Sequence, residues 1–132
     1  MYENLINLQP NRKPFLFIEE IIECISEKSA TTTKYLDPNE WFFKCHWEGD
    51  PNMPAMLQLE MMSQTASLCL FNKDFPPKKL YLTGVKSASF RKKIIPNMTV
   101  DNKATQLKKI KNLYTYKCVI RDKNTSKLIS KA

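Results

Sequence analysis

The sequence predicts an α+β protein in which a curved antiparallel sheet wraps around one long central helix. Two runs of strand character come first, then the longest apolar segment of the chain, and then four more strand-like runs. Strands that no crossover helix separates pair antiparallel, and a helix that is apolar on most faces needs cover on most faces. The length of 132 residues fits one domain, residues 1–132, with its own core.

The first half of the chain supplies two strands and a short helix. Residues 3–8 form a short, weakly amphipathic helical segment that Pro10 ends. The run FLFIEEIIECI after Pro14 favours a strand, and the β-branched residues of 30–36 predict its hairpin partner. Asp37 and Pro38 then predict the cap and first position of a helix over residues 39–43.

The central helix and the remaining strands follow a loop that carries the only histidine. Gly49, Asp50 and Pro51 are typical turn residues, and Met53-Pro54 opens a helix over about residues 54–72. Pro76-Pro77 marks a loop over residues 74–79. The predicted strands after it, separated by turns at Pro96-Asn97 and at residues 122–125, cover residues 80–90, 99–110, 113–121 and 127–130.

Composition limits the classes of function. The net charge of +8 attracts anionic partners, but a lysine-rich solvated surface explains it equally well. The aromatic residues are not interleaved with basic ones as in nucleic-acid-binding motifs, so we expect no nucleic-acid partner.

Cysteine spacing and hydropathy bear on the compartment. The four cysteines contain no C-x-x-C pair, which favours reduced thiols in a cytoplasmic protein over a disulfide framework or a zinc ribbon. We see no secretory signal at the start. Polar residues interrupt the apolar run after Pro54, so we expect no insertion into a membrane.

Glu60 is the one carboxylate of the central helix. Gln64 and Ser67 follow it at spacings of four and seven, so the three share one helical face. A carboxylate in apolar surroundings can hold or trade a proton near neutrality, and Gln64 can orient it. The alternative interpretation is a stripe that faces water and an ordinary Glu60.

His46 lies in a loop that leads directly into a helix start. Histidine titrates near neutrality, and a helix N-terminus presents free N–H groups that can polarise a carbonyl oxygen. Cys45 beside His46 is not expected to act as a nucleophile, since adjacent residues rarely point at each other. The methionines at 53, 56, 61 and 62 suit either the core or an acyl pocket.

These residues also form a recognisable pattern. The stretch FFKCHWEGDPNMPAMLQLEMMSQ resembles the signature F-F-x-G-H-F-P-G-x-P-x-M-P-G-x-L-x-x-E-x-x-x-Q of the 3-hydroxyacyl-[acyl-carrier-protein] dehydratases of bacterial fatty acid synthesis. His46 falls on the family's catalytic histidine and Glu60 on its catalytic carboxylate. QPNRKPFLFIEEI and LTGVKSASFRKKIIPNMTV extend the resemblance over nearly the whole chain. It implies a hotdog fold and a homodimer, which can assemble further into a hexamer.

The resemblance also implies a reaction, the reversible loss of water from a 3-hydroxyacyl thioester. His46 would remove the C2 proton, and Glu60 of the other subunit would manage protonation of the leaving C3 hydroxyl. The backbone N–H of Ala55 would hold the carbonyl oxygen, and Gln64 would orient Glu60. No metal or redox cofactor is implied, because every step is a proton transfer.

The implied partner is an acyl carrier protein, which is acidic and bears its acyl chain on a phosphopantetheine arm. The basic residues Arg91, Lys92 and Lys93 would meet it, as would those at 108, 109 and 111, unless these lysines are only a solvated face.

Departures from the signature indicate a divergent member and keep two rival functions open. The family glycines before the histidine and at the helix start are Cys45 and Ala55 here, and Trp47-Glu48 replaces a Phe-Pro pair. The rivals are an acyl thioesterase of the same fold and a non-catalytic acyl-binding protein.

Overall fold

The computed structural model describes residues 3–71 and 79–132, with side chains from residue 6 onward. It confirms the α+β class and the order of two strands, a helix and four strands. The elements are α1 (Glu3–Leu8), β1 (Glu20–Ile25), β2 (Ser29–Tyr35), α2 (Trp41–Cys45), α3 (Ala55–Ser67) with a 3₁₀ turn (Leu68–Leu70), β3 (Ser89–Phe90), β4 (Thr99–Ile110), β5 (Leu113–Asp122) and β6 (Leu128–Lys131).

The strands form one six-stranded sheet in the order β1-β2-β4-β5-β6-β3, and every pairing is antiparallel, as predicted. The helix α3 packs on the central strands β2, β4 and β5. Alternation along β4 turns Val100, Asn102 and Ala104 toward the helix, where each is at most 1% exposed. The core therefore lies between α3 and the inner face of the sheet.

The core joins residues from the helices, the sheet and the N-terminal segment. Its apolar side chains form two clusters, and the larger one includes Phe17, Phe42, Met61, Ile120 and Ile129. Full burial of such a side chain contributes about 1.5–3 kcal/mol. This packing fixes α2 and α3, the two helices that flank the His46 loop.

The prediction of a strand from Pro14 onward is wrong for its first part, because β1 begins only at Glu20. We call residues 14–18 the strap. The hydrogen bonds between this part of the chain and β2 begin only after the strap, with the Glu19 N–H donating to the Thr33 carbonyl at 3.2 Å. The backbone of the strap bonds the Gln64 side chain instead of a neighbouring strand. A side-chain partner that is distant in sequence is not visible in local strand propensity.

The predicted cap of the short helix is also wrong. The helix α2 begins at Trp41, with Glu40 as its N-cap. Asp37 instead forms a separate turn, in which its Oδ1 accepts the N–H of Asn39 at 2.8 Å and its carbonyl accepts the N–H of Glu40 at 3.0 Å. Asp favours such side-chain turns as much as it favours helix caps.

The central helix is shorter than predicted. It starts at Ala55 with Pro54 as the N-cap, and its α-helical part ends at Ser67, followed by the 3₁₀ turn. Residue 72, where we placed the end, lies outside the described residues, as does most of the predicted loop at residues 74–79. Among the described residues, no helix is long and apolar enough to cross a membrane.

The predicted strand over residues 80–90 is mostly unpaired. Only Ser89–Phe90 joins the sheet, opposite Lys131 and Ser130 of β6. Residues 80–88 are exposed, with Tyr81 at 79% and Leu82 at 62%. Because β3 is the outermost strand of the sheet, residues 80–88 have strand character without a strand of this chain beside them.

Candidate active site

The loop between α2 and α3 carries His46 and leads to the start of α3, as the sequence predicted. His46 directly follows α2 as its C-cap. A turn then closes with a 3.3 Å hydrogen bond from the Asp50 N–H to the Trp47 carbonyl, and Gly49 takes a φ of 72° that suits glycine. The Met53 N–H bonds the Ile94 carbonyl at 2.9 Å, which fixes the loop against the chain before β4.

The half-buried ring of His46 has a defined tautomer. Its Nδ1 lies 3.0 Å from the backbone carbonyl oxygen of Asn52. Because a carbonyl oxygen can only accept, Nδ1 carries the proton, and Nε2 of the neutral ring keeps its lone pair. The Trp47 ring packs edge-on against the imidazole at a centroid distance of 6.0 Å. The lone pair of Nε2 is thus available to accept a proton.

Glu60 and Gln64 meet on one face of α3, as their spacing predicted. Gln64 donates from Nε2 to Glu60 Oε1 at 3.0 Å. The same amide is clamped by the strap, because it donates to the Phe15 carbonyl and accepts from the Phe17 N–H, both at 2.8 Å. Gln64 is only 2% exposed, so the water-facing interpretation fails for it. Glu60 itself is half-buried.

Ala55 is the first residue of α3. A residue in the first helical turn has no carbonyl inside the helix to accept its N–H, and the helix dipole makes this end positive. Glu60 lies five residues further along the same helix, about 7.5 Å along its axis. Among the described residues, no hydrogen bond joins His46 to Glu60.

The other candidate residues are placed as follows. The thiol of Cys45 points back along α2 and lies 3.4 Å from the Trp41 carbonyl, which agrees with a residue that is not a nucleophile. Three of the four methionines are core residues at 1–2% exposure, whereas Met56 is 73% exposed. Arg91, Lys92 and Lys93 are exposed, and Lys93 forms a 2.8 Å ion pair with Asp50 of the His46 loop.

Sequence reasoning missed two groups that support the site. One is the backbone carbonyl of Asn52, which sets the tautomer of His46. The other is the strap, whose backbone holds Gln64. Neither has a signal in residue identity, because any residue supplies a backbone carbonyl or N–H.

Two surface concavities in the described part of the chain, of about 430 Å³ on the outer face of the sheet and about 300 Å³ beside Tyr114, include neither His46 nor Glu60. Within the described part of the chain, no three His, Cys, Asp or Glu side chains converge as metal ligands do.

Comparison with solved structures places the fold. Thioesterase superfamily member 2 from Mus musculus superposes with a TM-score of 0.72 at 12% identity, covering 99% of this chain and 92% of that one. A chain of the dehydratase heterocomplex ApeI:P from Xenorhabdus doucetiae gives a TM-score of 0.71 at 14% identity, covering 96% and 86%. These likenesses show the hotdog fold.

Comparison of sequences places the family. The FabA-like domain matches residues 9–125. The 3-hydroxyacyl-[acyl-carrier-protein] dehydratase FabZ of Levilactobacillus brevis is 36% identical over 115 residues, which cover 86% of this chain and 78% of that protein. The chain therefore belongs to the family of FabZ-type 3-hydroxyacyl-[acyl-carrier-protein] dehydratases.

Proposed function

We propose that this chain catalyses the reversible dehydration of a 3-hydroxyacyl thioester on acyl carrier protein, which gives the trans-2-enoyl thioester. Its membership of the dehydratase family supports the reaction and the carrier, which the relatives' names print. The observation that carries the proposal is the orientation of His46, whose protonated Nδ1 leaves Nε2 free to accept a proton.

His46 is the base of the proposed reaction. Its Nε2 takes the proton from C2 of the substrate, and the electron pair of that C–H bond forms the C2–C3 double bond. The bond between C3 and the hydroxyl oxygen breaks, and its electron pair leaves with the oxygen. The Asn52 carbonyl, 3.0 Å from Nδ1, stabilises the imidazolium that His46 becomes.

Glu60 is the proposed acid. It protonates the departing C3 hydroxyl, which leaves as water, and the same pair of residues adds water in reverse. The 3.0 Å bond from Gln64 binds Oε1 and leaves Oε2 of Glu60 to face the substrate. We assign Gln64 the role of orienting this carboxyl group, since the clamp by the strap limits its rotation.

The backbone N–H of Ala55 is the proposed donor to the thioester carbonyl. Removal of the C2 proton develops negative charge on that oxygen, and the N–H group and dipole at the start of α3 are suited to stabilise it. The methyl group of Ala55 still leaves the N–H free to donate.

Arg91, Lys92 and Lys93 are the proposed docking residues for the acidic carrier. They directly precede Ile94, whose carbonyl holds the loop after His46 through Met53. The lysines of the β4–β5 hairpin lie at the other end of α3. The Gln106 N–H of this hairpin donates to the Lys28 carbonyl, and the neighbouring Glu27 N–H donates to the carbonyl of Cys69 in the 3₁₀ turn that follows the helix. A carrier that delivers its acyl group to His46 therefore fits the first cluster better.

We further propose that the protein forms a homodimer, which can assemble into a hexamer. We place it in the cytoplasm. The exposed apolar side chains of residues 80–88 and the free edge of β3 support pairing with a second copy. The dimer would bring Glu60 of one copy to His46 of the other. The four free thiols support a reducing compartment.

The test is an absorbance assay for the enoyl thioester. The purified protein is incubated with 3-hydroxybutyryl and longer 3-hydroxyacyl thioesters, beside a His46→Ala variant. We expect enoyl thioester from the wild type and a loss of about 10²- to 10⁴-fold in the variant.

Three results would contradict the proposal. Release of free thiol from the thioester would identify a thioesterase. A folded, dimeric protein that is inactive on every thioester would identify a binding protein, and an active His46→Ala variant would remove the proposed base.

A further inference from the structure

The strap touches both halves of the candidate site. Its backbone at Phe15 and Phe17 clamps the amide of Gln64, which in turn bonds Glu60. Its carbonyl at Pro14 accepts a 3.0 Å hydrogen bond from the indole Nε1 of Trp41. Trp41 is the first residue of α2, the helix that ends at Cys45 and has His46 as its C-cap.

Aromatic packing continues the same connection. The Phe15 and Phe17 rings of the strap meet edge to face at 5.0 Å, and Phe17 meets Phe42 of α2 at 6.1 Å. Trp41 and Phe42 are 5.7 Å apart, again edge to face. Edge-to-face pairs at these distances are favourable contacts, so the strap and α2 are packed as one aromatic cluster.

From these contacts we infer that Trp41 is a positioning residue for Glu60. Its indole N–H holds the strap, and the strap holds the Gln64 amide in the orientation that donates to Glu60. The inference rests on the proposed function, in which Glu60 is the acid. Trp41 touches neither the substrate nor the reacting atoms in this scheme, and it acts only through the strap and Gln64.

The orientation of the Gln64 amide depends on the strap. Its Oε1 must face the Phe17 N–H, which can only donate, and one Nε2 hydrogen must face the Phe15 carbonyl, which can only accept. The second Nε2 hydrogen is then directed to Glu60. A shift of the strap loosens both constraints and lets the amide rotate away from the carboxyl group.

The indole bond adds a second anchor, at Pro14, to the one that the buried Phe17 gives the strap. Its residues are not part of β1, whose pairing with β2 begins at Glu20. Trp41 is 39% exposed, whereas its helix neighbours Phe42 and Phe43 are 0% and 5% exposed. The two phenylalanines therefore hold α2 in the hydrophobic core. The indole N–H of Trp41 has a separate role, which is to hold the strap at Pro14.

The experiment compares Trp41→Phe with Tyr116→Phe. The first change keeps an aromatic ring but removes the donor to Pro14. The second removes another aromatic hydrogen bond, 2.9 Å long, from Tyr116 to Gln106 near the opposite end of α3. We measure kcat and KM for 3-hydroxyacyl thioester, the melting temperature, and the side-chain amide NMR signals of Gln64 and Gln58.

We expect Trp41→Phe to lower kcat about threefold to tenfold with KM within about twofold, because orientation and not binding is lost. The Gln64 side-chain amide signal should shift or broaden, while the Gln58 signal stays in place. Tyr116→Phe should change neither kcat nor the Gln64 signal, even if it lowers the melting temperature as much as Trp41→Phe does.

An unchanged kcat in Trp41→Phe would overturn the inference, and so would an unmoved Gln64 signal. The inference would also be overturned if both variants lost kcat equally and in proportion to their fall in melting temperature. The loss of kcat would then come from general destabilisation of the protein. If the wild type forms no enoyl thioester, the proposed function fails, and the Gln64 signal alone then decides whether Trp41 positions the amide.

Discussion

His46 shows how a single residue can be found from sequence while its chemical state cannot. It is the only histidine, and it precedes a helix start, so the sequence singles it out. Its tautomer depends on the Asn52 carbonyl 3.0 Å from Nδ1. That carbonyl is backbone, and the loop around it is held by the turn through Gly49 and by the 2.8 Å hydrogen bond from the Asn52 side chain to the Asp50 carbonyl. The role of base that we propose for His46 thus rests on the geometry of this loop.

Cys118 gives a prediction at the same scale. Burial raises the pKa of this thiol from 9.0 to about 12, because the fold disfavours the thiolate. The unfolded chain ionises the thiol from about pH 9 upward and so holds fewer protons than the folded chain there. The contribution of Cys118 to stability is therefore present below pH 9 and is lost as the pH rises.

We expect the free energy of unfolding to fall less steeply with pH in Cys118→Ala than in the wild type. Between pH 8 and pH 10 the difference should be about 1 kcal/mol, as measured by urea denaturation. Cys45→Ala, which removes an exposed thiol, is the control for the loss of a thiol as such. Parallel curves for Cys118→Ala and the wild type would show that the buried thiol does not carry this effect.

At the scale of elements, a buried polar seam joins α3 to the sheet. The hydroxyls of Thr32 on β2 and Thr65 on α3 are 2.8 Å apart. Asn102 on β4 donates to the Met61 carbonyl at 3.0 Å and to the Thr65 hydroxyl at 3.1 Å. Such bonds are directional, so they fix the rotation of α3, and hence the face that carries Glu60, better than apolar packing does.

We expect Thr65→Val to destabilise the protein by about 1–3 kcal/mol, because it leaves the buried Thr32 hydroxyl without its partner. The double variant Thr32→Val, Thr65→Val should recover part of this loss, since no unpaired hydroxyl then remains. Urea denaturation of both single variants and the double variant gives the coupling free energy. Additive losses would show that the two hydroxyls do not stabilise each other.

The elements that sequence predicted best are those whose partners are close in the chain. The strand over residues 99–110 is observed as Thr99–Ile110, and its hairpin partner agrees within one residue. The strap and residues 80–88 were both predicted as strand and are not. The strap bonds Gln64 of α3, which is 47 positions from Phe17. Strand propensity is a property of the local sequence, so it does not show whether a segment finds its partner in the sheet or at a distant side chain.

At the scale of the whole molecule, one chain holds the two candidate groups, His46 and Glu60, through separate partners. His46 is oriented by its own loop, and Glu60 is oriented by Gln64 and the strap. No hydrogen bond joins the two in the described chain. Meanwhile the exposed run at residues 80–88 offers a strand edge to a second copy. Both features are accounted for if a dimer pairs His46 of one copy with Glu60 of the other.

Mixing two inactive variants tests this arrangement. His46→Ala and Glu60→Gln are each expected to lack activity, since every site in either homodimer lacks one of the two groups. In a mixed dimer, one site combines His46 from the Glu60→Gln chain with Glu60 from the His46→Ala chain and is intact, while the other site lacks both groups. After unfolding and refolding together, half of the dimers are mixed, so about a quarter of wild-type activity should return.

The control mixes His46→Ala with the double variant His46→Ala, Glu60→Gln, which can form no intact site and should stay inactive. Activity is measured as enoyl thioester formed per protomer, and the mixed dimers are counted by native mass spectrometry. If mixed dimers form and activity does not return, His46 and Glu60 of the same chain must work together.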